Sequence, residues 1–321
     1  MNNKKAFITG ISGFVGSFLA EHLLEKGYAV AGLMRPGSGE GENIEHIRKK
    51  LELYEADLLE PSSIKSTILN SQPTHIFHLA ALSSPAESYD KPAETLNNNI
   101  SAQINVLEAI RENQLYDTKI LVISSGETYG RVKKENLPIT ENTPLQPMSP
   151  YGVSKVTQDF LGFQYALSYK MNIIRVRPFN HIGPRQSPQF VVSSFAKQIA
   201  EIEKKKDIHE MKVGNLKAKR DFVDVRDVVK AYELLLEKGK IGDVYNIASG
   251  HTYVISDILK KLISFSQAKI TVHEDEELLR PVDISEVAVD IGKIKKDIDW
   301  SPTIDIETSL QDVLNYWRER V

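Results

Sequence analysis

The stretch Thr9-Gly10-Ile11-Ser12-Gly13-Phe14-Val15-Gly16 constrains this chain more than any other feature. It joins Lys5–Thr9 (KAFIT), an apolar run that reads as a buried strand, to Phe14–Lys26, whose spacing reads as a helix ended by Gly27. Glycines at such a turn permit a tight bend, close approach of a pyrophosphate and close packing of helix on strand. The helix N-terminus adds amides and a dipole that favour phosphate oxygens. Glycines alone also mark ordinary turns, so the placement after the first strand carries the weight. Gly10, Ser12, Gly13, Phe14, Val15 and Gly16 are therefore expected to cradle a dinucleotide.

The pattern that follows fits such a cradle. Strands are expected at Tyr28–Met34, Leu51–Tyr54, His75–Leu79 and Lys119–Ser124, with helices over Pro61–Leu69 and Ala93–Asn113 between them. Apolar strands alternating with helices indicate a doubly wound parallel sheet of Rossmann type. Gly126–Pro150, with prolines at 138, 144, 147 and 150, reads as a long functional loop. A helix from Pro150 to about Lys170 and a strand at Ile173–Arg177 follow. Beyond Pro178 the pattern is less regular, with helices expected near Gln189–Lys204, Val225–Glu237, Ser256–Ser264 and Ile306–Arg318. The expected class is α/β, a Rossmann domain of residues 1–177 with a return near 222–248. A smaller α/β substrate-binding domain would use 178–221 and about 249–321.

Composition excludes several chemistries. Without cysteine there are no disulfides, thiolate nucleophiles or thiolate metal sites, and the eight histidines show no ligand spacing, so no metal is expected. A net charge of −3 gives no basic field for nucleic acid or anionic lipid. The N-terminus lacks a long apolar h-region and no apolar run could span a bilayer, so a cytoplasmic protein is expected.

Two further segments carry chemistry. In Tyr151-Gly152-Val153-Ser154-Lys155 the tyrosine and lysine stand at i and i+4, on one helical face. A phenol with a pKa near 10 is a poor acid–base group at pH 7, and a neighbouring ammonium is expected to lower it. Ser124-Ser125-Gly126-Glu127-Thr128-Tyr129-Gly130 leaves the fifth strand at its carboxyl end, where ligands lie in open α/β sheets. Ser125 can hydrogen-bond a substrate oxygen; Glu127 is either a base or an ordinary loop carboxylate. Cofactor choice falls at the end of the second strand. Leu33-Met34-Arg35-Pro36 offers no acid for a ribose 2′-hydroxyl, so Arg35 points to NADP(H) without forbidding NAD(H), a solvated loop cation being the alternative. Asp57 is either an adenine contact or a helix N-cap.

Together TGxxGFxG, HLAA (His78–Ala81), SSGETYG, SPYGVSK, RPFNHIGP (Arg177–Pro184) and RDFVDVRD (Arg220–Asp227) resemble the extended short-chain dehydrogenases/reductases, which include nucleotide-sugar epimerases, dehydratases and reductases. The segment Phe179–Pro184 followed by Gln189–Val191, and Gly214–Leu216 leading into Arg220–Phe222, are most similar to the GDP-mannose branch; the first, with Phe195–Ile199, is similar in particular to GDP-4-keto-6-deoxy-D-mannose reductases. GDP-mannose 4,6-dehydratases are similar but carry a longer loop after the second strand. The resemblance implies a catalytic set of Ser125, Tyr151 and Lys155, with Glu127 at the place of the dehydratase base. It places Leu58, Leu79, Ala80, Ala81, Phe179 and His181 beside the cofactor. It places Ser83, Asn180, Arg185, Val191, Lys197, Gly214, Asn215, Arg220 and Arg280 around the GDP-sugar. It further implies a homodimer through a four-helix bundle of the helices near 93–113 and 151–170. The alternatives are a 4,6-dehydratase, a UDP- or CDP-sugar epimerase or reductase, and a non-catalytic NADP-binding sensor.

Overall fold

The computed structural model describes residues 4–37, 41–205, 209–279 and 284–321. Its first half repeats a strand-then-helix unit: β1 (Lys5–Thr9), α1 (Phe14–Glu25), β2 (Ala29–Met34), β3 (Leu51–Glu55), α2 (Pro61–Ser71), β4 (His75–His78), α3 (Glu87–Asp90), α4 (Pro92–Glu112) and β5 (Lys119–Ile123). Then come α5 (Pro150–Tyr169), β6 (Asn172–Pro178), β7 (Asn180–Ile182), α6 (Val191–Lys204), β8 (Glu210–Val213), β9 (Lys219–Asp224), α7 (Val225–Lys238) and β10 (Val244–Ile247). The chain ends with β11 (Thr252–Val254), α8 (Ile255–Ser264), β12 (Thr271–Glu274), α9 (Gly292–Ile298) and α10 (Ile306–Arg318).

Seven strands form one parallel sheet in the order β10-β6-β5-β4-β1-β2-β3. Helices cover both faces, which is why its central strands read as continuous apolar runs rather than alternating ones. The strand order reverses between β1 and β4, and the crevice at such a point, beyond the carboxyl ends, is where ligands bind in open sheets. Local chemistry sets the helix starts. Pro61, Pro92 and Pro150 supply a preset φ in first turns. Ser149, Asp224 and Asp305 accept hydrogen bonds from the opening amides of α5, α7 and α10.

A second core gathers Ile182, Phe195, Ile199, Phe222, Leu259 and Leu310 from β7, α6, β9, α8 and α10. The α7–β10 segment joins the main sheet and its core. One later segment departs from the expected division. Ile294 and Ile298 of α9, with Trp300, belong to the core of the large sheet although they fall in the stretch assigned to the smaller unit. Asp227 on α7 anchors this return: it accepts from Thr303 N and Ile304 N, both at 2.8 Å, while Trp300 Nε1 donates to its carbonyl at 3.1 Å. After β2, Glu42–Lys50 forms a 3-10 helix that buries Ile44 and Ile47, in a stretch for which no element is expected from the sequence. Among the described residues no helix is long and apolar enough to cross a membrane.

Candidate active site

The turn after β1 is shaped by what cannot fit there. Gly10 has φ +73°, and a β-carbon on it would press on the Ala80 backbone at 3.2 Å. A β-carbon on Gly16 would stand 2.1 Å from the Gly10 carbonyl oxygen, so only glycine lets α1 close on the strand. Gly13 begins α1 in extended conformation without a side-chain cap, and no acidic residue stands in the first turn. Among the described residues no side chain caps the amides of that end, which fits a diphosphate placed there. Asn43 Nδ2 donates to Ser12 O at 3.0 Å and holds the turn from the 3-10 helix. Across the crevice, Thr9 Oγ1 accepts from Ala80 N at 3.1 Å and meets His78 Nδ1 at 3.0 Å. Burial pulls His78 down to about 3, with the Lys155 charge adding to it, so the ring is neutral.

Leu79, Ala80 and Ala81 follow β4 half-buried, and Arg35 follows β2 with its side chain exposed. The N-cap alternative for Asp57 is not what the structure shows, since Glu60 precedes α2 in that position. Asp57 Oδ1 instead accepts from Leu59 N at 2.9 Å, and the Leu58 carbonyl accepts from Asn105 Nδ2 at 2.8 Å. His181 stacks on Phe14 with ring centroids 5.8 Å apart and donates from Nδ1 to Phe179 O at 3.0 Å. Burial lowers its pKa, leaving Nε2 as an acceptor.

The second half of the site is the meeting of α5 with the turn after β5. Ser125 caps a short 3-10 turn by accepting from Glu127 N at 3.1 Å, and Ser124 Oγ donates to Lys155 O at 3.1 Å. Ser125 and Tyr151 are each 8% exposed and Lys155 4%, so the three expected groups share one nearly dry wall. Their electrostatics differ from the expectation. The Tyr151 phenol is not lowered by Lys155; burial raises it well above its ordinary value, the Ser125 hydroxyl draws it partly back, and the Glu127 carboxylate pushes it up again. Lys155 itself is pulled to about 7 by burial, while its Nζ donates to Ile123 O at 2.9 Å and lies 5.8 Å from the Tyr151 ring centroid. A desolvated ammonium that is losing its own charge is a weak stabiliser of a phenolate.

The expected substrate residues scatter more. Ser83, Asn180, Val191 and Asn215 are exposed, and Gly214 is half-buried beside Leu278. Asn215 Oδ1 accepts from Lys217 N at 3.0 Å. Arg220 Nη1 donates to Lys219 O and Ile284 O at 2.9 and 2.6 Å. Lys197 pairs with Glu201 at 3.7 Å and lies over the Trp317 ring. Arg185 pairs with Glu21 at 2.7 Å, donates to Ser17 Oγ at 3.1 Å and covers the Phe18 ring, all on α1. Arg280 lies outside the described residues. Sequence reading passed over Asn43, and also over Asn99 in α4, whose side chain bonds both Leu82 N and Leu82 O and reaches Ser154 Oγ at 3.0 Å. A polar residue inside the apolar stripe of α4 was the available signal. Among the described residues no cluster of His, Asp and Glu could hold a metal.

A glycine-cradled switch point facing a Ser-Tyr-Lys wall defines a nicotinamide-dependent enzyme of the extended short-chain dehydrogenase/reductase class. The chain belongs to the GDP-mannose 4,6 dehydratase family, whose profile matches residues 7–313. It is 33% identical to a GDP-6-deoxy-D-mannose reductase of Pseudomonas aeruginosa, over 99% of this chain and 98% of that protein. It is 28% identical to the human GDP-mannose 4,6 dehydratase, over 97% of this chain and 90% of the relative. The structure of RMD from Pseudomonas aeruginosa complexed with NADPH superimposes with a TM-score of 0.87 at 33% identity, covering 99% of this chain and 100% of that one. A UDP-glucose 4-epimerase of Thermotoga maritima, solved with UDP-glucose, gives 0.89 at 27% identity, covering 98% and 99%.

Proposed function

We propose that this enzyme reduces the C4 ketone of a GDP-4-keto-6-deoxy-hexose with NADPH. The observation that carries the reading is the placement of Tyr151, a buried phenol beside the equally buried Ser125 hydroxyl, where it can give a proton to an oxygen gaining negative charge. A dehydratase cycle starts the other way, with a phenolate taking a proton from the C4 hydroxyl. The reductase relative at 33% identity over nearly the whole chain supports the same direction.

Residues Gly10 to Gly16 and the first turn of α1 would hold the cofactor diphosphate, Arg35 the 2′-phosphate, and Ala80, Ala81 and Phe179 the nicotinamide side. When bound, the cofactor supplies the hydride. Ser125 holds the carbonyl oxygen, Tyr151 protonates it, and Lys155 orients the ribose beside the phenol. Asn180, Val191, Lys197, Gly214, Asn215, Arg220 and Arg280 are the proposed contacts to the GDP-sugar. The product is GDP-D-rhamnose or its C4 epimer, according to the face presented, and NADH is a second-choice donor. A Tyr151→Phe variant is expected to bind cofactor normally and lose most turnover. Glu127 favours the second reading, 4,6-dehydration: a Glu127→Gln variant loses activity in a dehydratase and keeps most of it in a reductase.

The proposal includes a cytoplasmic homodimer. Val153, Phe160, Phe163, Leu167 and Tyr169 leave an apolar stripe on α5, with Phe160 and Leu167 each 53% exposed. Packing that stripe and α4 against a second copy makes a four-helix bundle, and a Phe160→Glu variant is expected to be monomeric by light scattering.

A further inference from the structure

We propose that Arg177 is a positioning residue that sets the turn bearing Ser125 and Glu127 against the face of α5 bearing Tyr151 and Lys155. This rests on reading Ser125 and Tyr151 as the reacting pair. The two elements come from different parts of the chain, and their register decides whether a proton can move between the phenol and a bound carbonyl.

Asp159 continues the face of α5 that carries Tyr151 and Lys155, at i+8 and i+4. It is fully buried, and its two oxygens each take a guanidinium: Oδ1 lies 2.5 Å from Arg175 Nη1 and Oδ2 2.7 Å from Arg177 Nε. The two arginines then part. Arg175 donates from Nη2 to Gly242 O at 2.9 Å, at the edge of the sheet. Arg177 turns inward, where Nη1 donates to Tyr129 Oη at 2.9 Å and to Glu141 O at 3.2 Å.

That bond fixes a direction along the chain of groups. Tyr129 Oη accepts from Arg177, so its own proton goes to Asn246 Oδ1 at 2.7 Å. Burial holds the Tyr129 phenol up at about 12 despite the guanidinium beside it, so it remains a donor. The Tyr129 ring is gripped as well. It stacks on Phe179 at 5.9 Å, and the Arg177 guanidinium lies 5.1 Å from its centroid. Phe179 in turn fills the space a β-carbon would need on Gly126, 2.6 Å from that position. The turn is closed by Tyr129 N donating to Gly126 O at 3.1 Å and Thr128 Oγ1 donating to Ser125 O at 2.6 Å. One buried guanidinium thus ties α5, through Asp159, to the turn that holds Ser125, through Tyr129. Proton transfer tolerates little misplacement, and an error of about 1 Å costs up to about a hundredfold in rate.

The test uses the whole protein and Tyr129→Phe, which removes one hydroxyl and keeps the ring stack. Activity is measured on whichever nucleotide-sugar the wild type turns over, so the reductase reading stands or falls in the wild-type arm and the positioning role in the variant ratio. The expected result is a kcat lower by about ten- to a hundredfold, with KM and the cofactor Kd within about threefold. Asp159→Asn is expected to give the same split, and the double variant to be no worse than the worse single one, because both cut one chain of contacts. A folded Tyr129→Phe protein with wild-type kcat well below its Tm overturns the proposal, whatever its Tm. If Asp159→Asn fails to fold, Tyr129→Phe decides alone.

Discussion

Gly16 lies against Gly10 so closely that a β-carbon on the first would stand 2.1 Å from the carbonyl oxygen of the second. The obstruction is backbone, which cannot swing aside as a side chain could. Gly16→Ala must therefore push α1 away from β1, at a cost of about 1–3 kcal/mol as for other overpacked sites. The same shift moves the amides proposed to meet the cofactor diphosphate. We predict a lower urea midpoint together with weaker NADPH binding by calorimetry. A variant that lost stability and bound NADPH normally would separate the turn from the cofactor.

Lys155 gives a pH dependence with a definite sign. Its ammonium is lowered from 10.5 to about 7 by burial. Between those values the unfolded chain holds a proton that the folded one has released, so stability rises with pH across the window. The relative gain is complete above 10.5 and gone below about 7. Lys155→Met lacks it. The stability of wild type minus that of Lys155→Met, from urea titrations at pH 6 and pH 9, should increase toward pH 9. A flat difference would mean that the ammonium is better solvated than its 4% exposure implies.

Arg185 tests a different contact. It sits at φ +72°, unusual for a residue with a β-carbon, and is held there by Glu21, Ser17 and Phe18. We propose that a guanidinium held in this way supports α1 and not a substrate phosphate. Arg185→Ala should cost about 1–2 kcal/mol of stability through the lost half-buried pair and packing, discounted for its solvent exposure. It should change KM for the nucleotide-sugar by less than about threefold, whereas losing a phosphate contact that strengthens binding by about 1.4 kcal/mol would raise it tenfold. Steady-state kinetics on the folded variant settles which.

Much of this was written in the local sequence. The expected strand Lys5–Thr9 coincides with β1, and the helix from Pro150 to about Lys170 with α5, because Ser149, Pro150 and the apolar spacing mark them locally. The grouping of Ser125, Tyr151 and Lys155 was legible because Tyr151 and Lys155 are one turn apart and Ser125 follows a buried strand. What stayed hidden depends on long-range packing. Nothing near residue 294 says that α9 will return to the large sheet, since its anchor, Asp227, is far back in the chain. Ile44 and Ile47 were lost in a polar run. Arg185 is an arginine in a motif that resembles phosphate binders, and only the fold shows Glu21 beside it. The effect of Lys155 on Tyr151 was misjudged because adjacency in sequence says nothing of burial, which dominates both groups.

Arg35 bears on cofactor choice. It follows β2 with an exposed side chain, where a 2′-phosphate would pair with it and a 2′-hydroxyl would not. Arg35→Ala should weaken NADPH binding about tenfold, a loss of about 1.4 kcal/mol, and leave NADH nearly unchanged. Fluorescence titration with both cofactors checks this. Equal losses for the two would show that Arg35 acts on the loop and not on the phosphate.

One paired assay tests whether the enzyme reduces the keto-sugar or makes it. Purified protein receives GDP-4-keto-6-deoxymannose with NADPH and, separately, GDP-mannose with NADP⁺, with nicotinamide absorbance followed and products identified by NMR. Stoichiometric NADPH loss with the keto-sugar and an inert GDP-mannose are the outcome expected of a reductase. Conversion of GDP-mannose to the keto-sugar with no net change in cofactor would contradict it and make the enzyme a dehydratase.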